Sequence, residues 1–283
     1  MSRRRSTPLE TLRRPRYAHH LVLLTLVGLA LLPIYFMVVN AFKTDADYLT
    51  NQYGPPSSGT VDTLTDAFRG GEFFTWLKNS FLLTTLAVGF STLIAALGAY
   101  PIALMRWRPG TVILTLMIAL MVVPPIVLII PLFKMTVELD QLNTYRAVVF
   151  VYVGLLLPFS TFLLASFFRT MPRSLIEAAR VDGASHFRIW RSIVLPLSGP
   201  VLATVVVVQA LWVWNEVLVA IVFLQQEGLR SLMVGLTIYR ARYSIDVPLV
   251  MAGMLWATIP MVLLYLVGQR FFVRGLTAGA TKG

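Results

Sequence analysis

Polar and apolar residues along this chain are sorted into long blocks. Stretches without Asp, Glu, Lys or Arg run over Leu21–Phe42, Asn79–Met105, Pro109–Phe133, Ala147–Phe168, Ser192–Asn215 and Val247–Gln269. A bilayer's hydrocarbon core, about 30 Å thick, is crossed by roughly 20 apolar residues of helix. Each stretch therefore predicts one crossing, and none is long enough for two. The first is read as a retained span, because its apolar run exceeds a signal-peptide core of about 7–15 residues and no small-residue cleavage site follows. The expected fold class is all-α: a polytopic membrane protein of six transmembrane helices.

The polar segments between these blocks carry further structure. From Lys43 to Lys78 the chain is polar and holds Gly54-Pro55-Pro56-Ser57-Ser58-Gly59, which cannot continue a helix. Beyond it, Val61–Phe68 and Glu72–Leu77 predict short surface helices. Pro33, Pro101, Pro124, Pro125, Pro131, Pro158 and Pro260 lie in or beside spans and predict packing kinks. The segment Arg169–Pro200 predicts a bent pair of short helices. Pro172 suits a first turn, Gly183 a positive-φ stop, and Ser185 an N-cap; Pro196 limits the second helix. Leu175, Ala178, Ala179 and Asp182 share one face of the first.

Composition narrows the class. The 283 residues are 57% hydrophobic and 13% charged, with mean hydropathy +0.74, whereas soluble domains carry about 25% charged residues. The net charge of +11 is distributed as a topology signal. Sixteen of the 24 Lys and Arg fall in the N-terminal tail, the second-to-third and fourth-to-fifth connections and the C-terminal tail. The opposite connections hold Asp45, Asp47, Asp62, Asp66 and Glu72. The positive-inside rule then puts both termini in the cytoplasm. This sorting leaves no reason to invoke nucleic acid. The organisation reads as a basic tail (1–20), a first span (21–42), an external loop (43–74), a five-span transmembrane region (75–270) and a C-terminal tail (271–283).

Enzyme and cofactor chemistry finds little purchase. With no cysteine, disulfides and thiolate metal sites are excluded, and His19, His20 and His186 have no ligand spacing, so no metal site is expected. No cofactor is expected either: the phosphate-binding Gly-x-x-x-x-Gly-Lys-Ser/Thr loop is missing, as are Gly-x-Ser-x-Gly and His-Glu-x-x-His. One carboxylate, Glu216, lies in an otherwise uncharged span, and intramembrane charge is a functional hypothesis by default. It either lines a translocation cavity with Trp214 and Asn215 or braces a neighbouring helix. Trp212, Trp214, Tyr239, Tyr243 and Trp256 either stack on sugar rings or serve as interface and packing residues.

The fourth-to-fifth connection contains Glu177-Ala178-Ala179, Gly183, Ile193, Leu195 and Pro196. At these seven positions the chain resembles the signature loop of binding-protein-dependent ABC importer permeases, without departure in residue or spacing. The resemblance implies that Glu177, Ala178, Ala179, Asp182 and Gly183 form a coupling helix docking on an ATP-binding subunit, framed by Ile193, Leu195 and Pro196. It also implies a second, homologous permease subunit in a heterodimeric pore, two ATP-binding subunits and an extracytoplasmic solute-binding protein, in a bacterial or archaeal cytoplasmic membrane. Asn79-Ser80, Leu142-Asn143-Thr144-Tyr145, Trp214-Asn215-Glu216 and the closing Gln269–Leu276 and Gly279–Gly283 are similar to the carbohydrate-uptake branch, which includes the maltose and glycerol-phosphate transporters. Peptide, amino acid or anion transport is the competing expectation. A membrane-embedded enzyme would need polar groups converging within the spans, where Glu216 stands almost alone.

Overall fold

The computed structural model describes residues 17–57, 59–69, 72–105, 109–242 and 246–280, with side chains described from 19 to 238 and 246 to 269 within those stretches. Residues 1–16, Arg106, Arg108, Tyr243 and residues 281–283 lie outside the described residues, as do the side chains of Tyr239, Arg240, Arg242, Arg270 and Arg274; the backbone of most of the C-terminal tail continues α14. In chain order the helices are α1 (Tyr17–Ala41), α2 (Asp45–Thr50), α3 (Asp62–Arg69), α4 (Glu72–Leu104), α5 (Pro109–Leu120), α6 (Pro125–Glu138) and α7 (Tyr145–Phe168). There follow α8 (Arg173–Val181), α9 (His186–Ile189), α10 (Leu195–Leu197), α11 (Gly199–Asn215), α12 (Leu218–Phe223), α13 (Leu232–Arg242) and α14 (Val247–Ala280). Among the described residues there is no strand.

Among the described residues, four helices are long and apolar enough to cross a membrane: His19–Ala41 within α1, α4, α7 and Val247–Gln269 within α14. The other two crossings are bent pairs, α5 with α6 at 100° and His186–Leu197 with α11 at 75°, so the count reaches six when each pair is one span. The third block thus bends where its prolines predict a kink, and at 100° far more sharply than a packing kink. Its break falls at Pro124-Pro125, where Pro124 is extended (φ −63°, ψ 132°) and Pro125 opens α6. A proline has no N–H to continue the preceding helix, yet it suits a first turn. Pro33, Pro101, Pro131, Pro158 and Pro260 all stay inside helices.

Two further expectations change between the first two spans. Glu72–Leu77 is no separate surface helix but the start of α4, whose 33 residues span about 50 Å. The helix α2 begins earlier than anything predicted, capped by Thr44 with Asp45 and Asp47 in its first turn. Asp47 also closes the turn that follows: its Oδ2 accepts the Ser57 N–H (3.0 Å) and its Oδ1 the Ser57 hydroxyl (2.8 Å). The fully buried Lys43 donates to the Asn51 carbonyl at 2.6 Å. The Ser57 backbone N–H, then its hydroxyl, and more weakly the Lys43 charge, hold the Asp47 carboxyl below its ordinary value against an opposing effect of burial.

A depressed carboxyl stabilises the fold above its unfolded pKa, and that contribution disappears as pH falls through the folded value. The strap 44–57 should therefore hold at neutral pH and loosen below roughly pH 4, the ordinary carboxylate range. Asp47→Asn should loosen it already at neutral pH and flatten the acid response. Hydrogen exchange of residues 44–57 checks this; matching acid profiles for wild type and variant would refute the assignment.

Packing runs along α4. It lies against α7, α11, α13 and α5, while α14 packs on α11, α1 and α3. Small buried residues at the α4–α7 seam, Ala87, Ala95, Ala96, Ala99 and Ala165, let backbones approach closely. Helix α1 is largely apolar, lies against α14 and is exposed from His19 to Tyr35, with none of its apolar window buried and only its last residues, Asn40 and Ala41, enclosed. An outer surface of that kind is suited to lipid.

Candidate functional site

The segment after α7 is built as its sequence predicts up to Ser185. Pro172 precedes α8 as its N-cap, one position earlier than a first-turn residue. Helix α8 ends on Gly183 at φ +77°. There Gly183 N–H donates to the Arg180 carbonyl (3.0 Å) and Ala184 N–H to the Ala179 carbonyl (2.9 Å), the paired bonds of a Schellman close. Ser185 then caps α9 by accepting the Arg188 N–H at 3.3 Å. Pro196 does not end the second helix. A widened π turn, Trp190–Val194, carries the chain past it, with Leu195 N–H bonding back to Trp190. That extra residue per turn relieves the clash of the proline ring with the preceding turn, and the bend comes at Ser198 instead.

The two faces of α8 differ. Ile176 is buried with Met171, Ile189, Trp190 and Val194 against Ala96, Ala99 and Tyr100 of α4 and Leu164 and Phe168 of α7; Ala179, Ala184, Ile193 and Leu195 pack against the same cluster. Glu177, Ala178, Asp182 and Gly183 are exposed, and so are Leu175 and Val181, the latter 88%. The predicted face thus divides, with Ala179 turned inward and Ala178 outward. Two contacts fix the knee to α4. Trp190 Nε1–H donates to the Ala96 carbonyl at 3.0 Å, and His186 bridges Tyr100 Oη (Nδ1, 3.0 Å) and Arg180 (Nε2, 2.9 Å). Between α8 and the end of α4 lies a cavity of about 650 Å³ lined by Leu104, Met105, Arg173, Glu177 and Arg180.

The second candidate group lies at the far end of α11. Glu216 follows the helix as its C-cap, with extended backbone (φ −74°, ψ 126°), so it ends the span instead of interrupting it. Its carboxylate accepts the Tyr152 hydroxyl (2.7 Å), the Val219 N–H (2.8 Å) and the Ala220 N–H (3.3 Å). It therefore caps α12 and ties it to α7. Glu216 and Asn215 also line an open cavity of about 830 Å³ together with Trp212 and Pro125.

Trp214 does not line that cavity. It is 2% exposed, donates to the Ala257 carbonyl of α14 at 3.1 Å and sits edge-on to Phe81. Trp212 takes the cavity position instead, at 38% exposure. Trp256 packs on Phe68 and donates to the Leu64 carbonyl.

Comparison with known proteins decides the family. Residues 91–274 match the family described as binding-protein-dependent transport system inner membrane component. This chain belongs to that family. The permease is 32% identical over 257 residues to the melibiose/raffinose/stachyose import permease protein MelC of Bacillus subtilis, covering 89% of this chain and 91% of that one. It is 33% identical over 260 residues to the trehalose/maltose transport system permease protein MalG of Thermococcus litoralis, covering 90% and 92%. A solved bacterial ABC transporter that imports the polysaccharide alginate contains a chain with the same fold, at TM-score 0.81, 23% identity and coverage of 94% and 100%. The family is a transport component of the inner membrane, not an enzyme.

The fold also gives the lesser motifs of the permease a shared place. Asn79 donates to the carbonyls of Gly228 and Arg230 (both 2.9 Å) and accepts the Tyr145 hydroxyl at 2.7 Å. Ser80 accepts the Leu232 N–H at 2.8 Å. Asn143, at φ +60°, accepts the N–H groups of Gln225 and Gln226, and Trp76 donates to the Glu227 carbonyl. Asn79, Ser80 and Asn143 thus clamp one loop, 223–232, between α12 and α13, with Tyr145 bracing Asn79. Sequence reasoning noticed these residues only as motifs. The loop's backbone carbonyls need donors, and which distant side chains supply them carries no sequence signal.

Proposed function

We propose that this permease imports a carbohydrate or related polar solute across the cytoplasmic membrane, as half of a pore completed by a second homologous permease. Two ATP-binding subunits and an extracytoplasmic solute-binding protein complete the machine, and both termini are cytoplasmic. The observation carrying this reading is the exposed knee Glu177–Gly183, closed by Gly183 and fastened to α4 and α7 through Ile176, Trp190 and His186. It offers small and apolar groups to a partner while a rigid base transmits displacement into two spans. The identity with carbohydrate import permeases supports the solute class. Glu177, Ala178, Asp182 and Gly183 are assigned to the docking surface, and Ala179, Ile193, Leu195 and Pro196 to its frame.

Uptake by the full complex in proteoliposomes tests the reading. ATP-dependent accumulation of an oligosaccharide such as raffinose or maltotriose is expected, and accumulation of peptides or anions instead would overturn the solute class. Single cysteines test the orientation against a cysteine-free background. Gln52→Cys should react with an impermeant maleimide in intact cells, and Ser174→Cys only after lysis. Reaction of both from outside would overturn the topology.

A further inference from the structure

The cavity between α8 and the end of α4 has walls of two kinds. Its floor is apolar, built by Leu104 and Met105 of the last α4 turn and by Ile176, which is 7% exposed. Its rim is set by Arg173, Glu177 and Arg180. With Ile176 these recur on α8 at spacings of three and four, so one face of the helix supplies them all. Ala178 and Asp182 of the docking surface stand about 140–180° round the helix from Arg173. The cavity thus lies mainly on the side of α8 away from that surface, with Glu177 at the shared edge.

The charges on this rim are not spent within the chain. Among the described residues Arg173 makes no ion pair or hydrogen bond, and Arg180 meets only the His186 ring. Glu177 stands four residues from the first and three from the second, yet pairs with neither. Two guanidiniums against one carboxylate leave the rim net positive. A guanidinium fork matches the paired oxygens of a phosphate, whose bonds to it are charge-assisted. The apolar floor beneath asks for hydrocarbon on the same ligand. A free anion would use the rim alone, whereas an anionic phospholipid uses rim and floor together. Met105 closes a membrane-spanning helix, so lipid is at hand.

We infer that this cavity is a site for an anionic phospholipid of the cytoplasmic leaflet. Its phosphodiester is held between Arg173 and Arg180, and the start of its acyl chains lies on Leu104, Met105 and Ile176. Basic pockets beside spans on the cytoplasmic side bind headgroups of this kind. The bound lipid ties α8 to the end of α4, so the membrane itself holds the knee beside Trp190 and His186. The choice of leaflet rests on the cytoplasmic placement of the knee proposed above.

The test places the full complex in nanodiscs of phosphatidylcholine, with and without phosphatidylglycerol, and reads retained lipid by native mass spectrometry. Wild type should retain phosphatidylglycerol over phosphatidylcholine. Arg173→Gln and Arg180→Gln should each weaken that preference about fivefold, the effect of one basic residue on an anionic lipid. Glu177→Gln should strengthen it. Arg173 has no polar partner within the chain, so Arg173→Gln remains a clean test even where Arg180→Gln loosens the knee at His186. Wild-type preference in both arginine variants overturns the site. Displacement of the lipid by inorganic phosphate makes it a free-anion site and overturns the lipid. Loss of the ATP-binding subunits from Arg173→Gln also overturns it, because the rim would then be a subunit contact. Nanodiscs expose both leaflets, so retention does not depend on orientation. Reaction of Ser174→Cys from outside therefore overturns the leaflet alone.

Discussion

Gly183→Pro should abolish binding-protein-stimulated ATP hydrolysis and solute uptake while leaving the chain inserted in the membrane. Gly183 holds φ +77° and its N–H bonds to the Arg180 carbonyl. Proline is locked near −65° and has no N–H, so the Schellman close cannot form and α8 loses its angle to α9. No side chain blocks the site, since an added Cβ would meet nothing within 4 Å. The effect is therefore one of backbone conformation, and Gly183→Ala should show a graded version, costing about 1–2 kcal/mol for the left-handed position. A companion variant isolates docking from shape. Ala178 is exposed while Ala179 packs on the core, so Ala178→Trp should block docking without disturbing the knee, whereas Ala179→Trp should destabilise the fold itself. Co-purification of the ATP-binding subunits, stimulated ATPase and membrane yield, measured together, separate these cases. Normal stimulation in both Gly183→Pro and Ala178→Trp would remove α8 from the coupling path.

The knee was readable in the sequence because its determinants are local. Gly183 and Ser185 act through backbone geometry within three residues of themselves, and the charge-free blocks define crossings without knowledge of neighbours. Legibility fails where distant packing decides. Trp212 and Trp214 are chemically identical and two residues apart, which on a helix turns them about 200° from each other. Only the placement of α14, through the Ala257 carbonyl, commits Trp214 to the core and leaves Trp212 to the cavity. The clamp on loop 223–232 likewise joins Asn79 to a carbonyl 151 residues away. Pro196 misleads for a different reason: a π turn just before it removes the clash that ordinarily ends a helix. The kink at Pro124-Pro125 was legible as a proline pair, but its 100° size was not, since hydropathy measures length and not direction.

Glu216 is the second position where a single change should have a large effect, and its geometry now weights the two roles its sequence context left open. Both carboxylate oxygens are engaged, by the Tyr152 hydroxyl and by the first free N–H groups of α12. Glu216→Ala removes a helix cap, worth about 1 kcal/mol. It also strands the Tyr152 hydroxyl, 1% exposed, at a further cost of about 1–3 kcal/mol. Lowered thermal stability in detergent is therefore expected, with faster hydrogen exchange confined to α12 and loop 223–232. Glu216→Gln keeps one acceptor oxygen and the length of the side chain, so it should recover most of the stability. Transport per assembled complex then tells whether the charge matters at the cavity rim. A brace alone predicts near-normal uptake for Glu216→Gln, and Tyr152→Phe should mimic part of the Glu216→Ala destabilisation, because it removes one of the same three bonds. A hydrophilic carbodiimide gives the complementary reading. A carboxylate that only braces helices should resist modification, while one reached from the cavity should react and be protected by transported sugar. Stable Glu216→Gln protein with uptake lost, together with solute-protected modification, would move Glu216 from the frame of the cavity into its working surface.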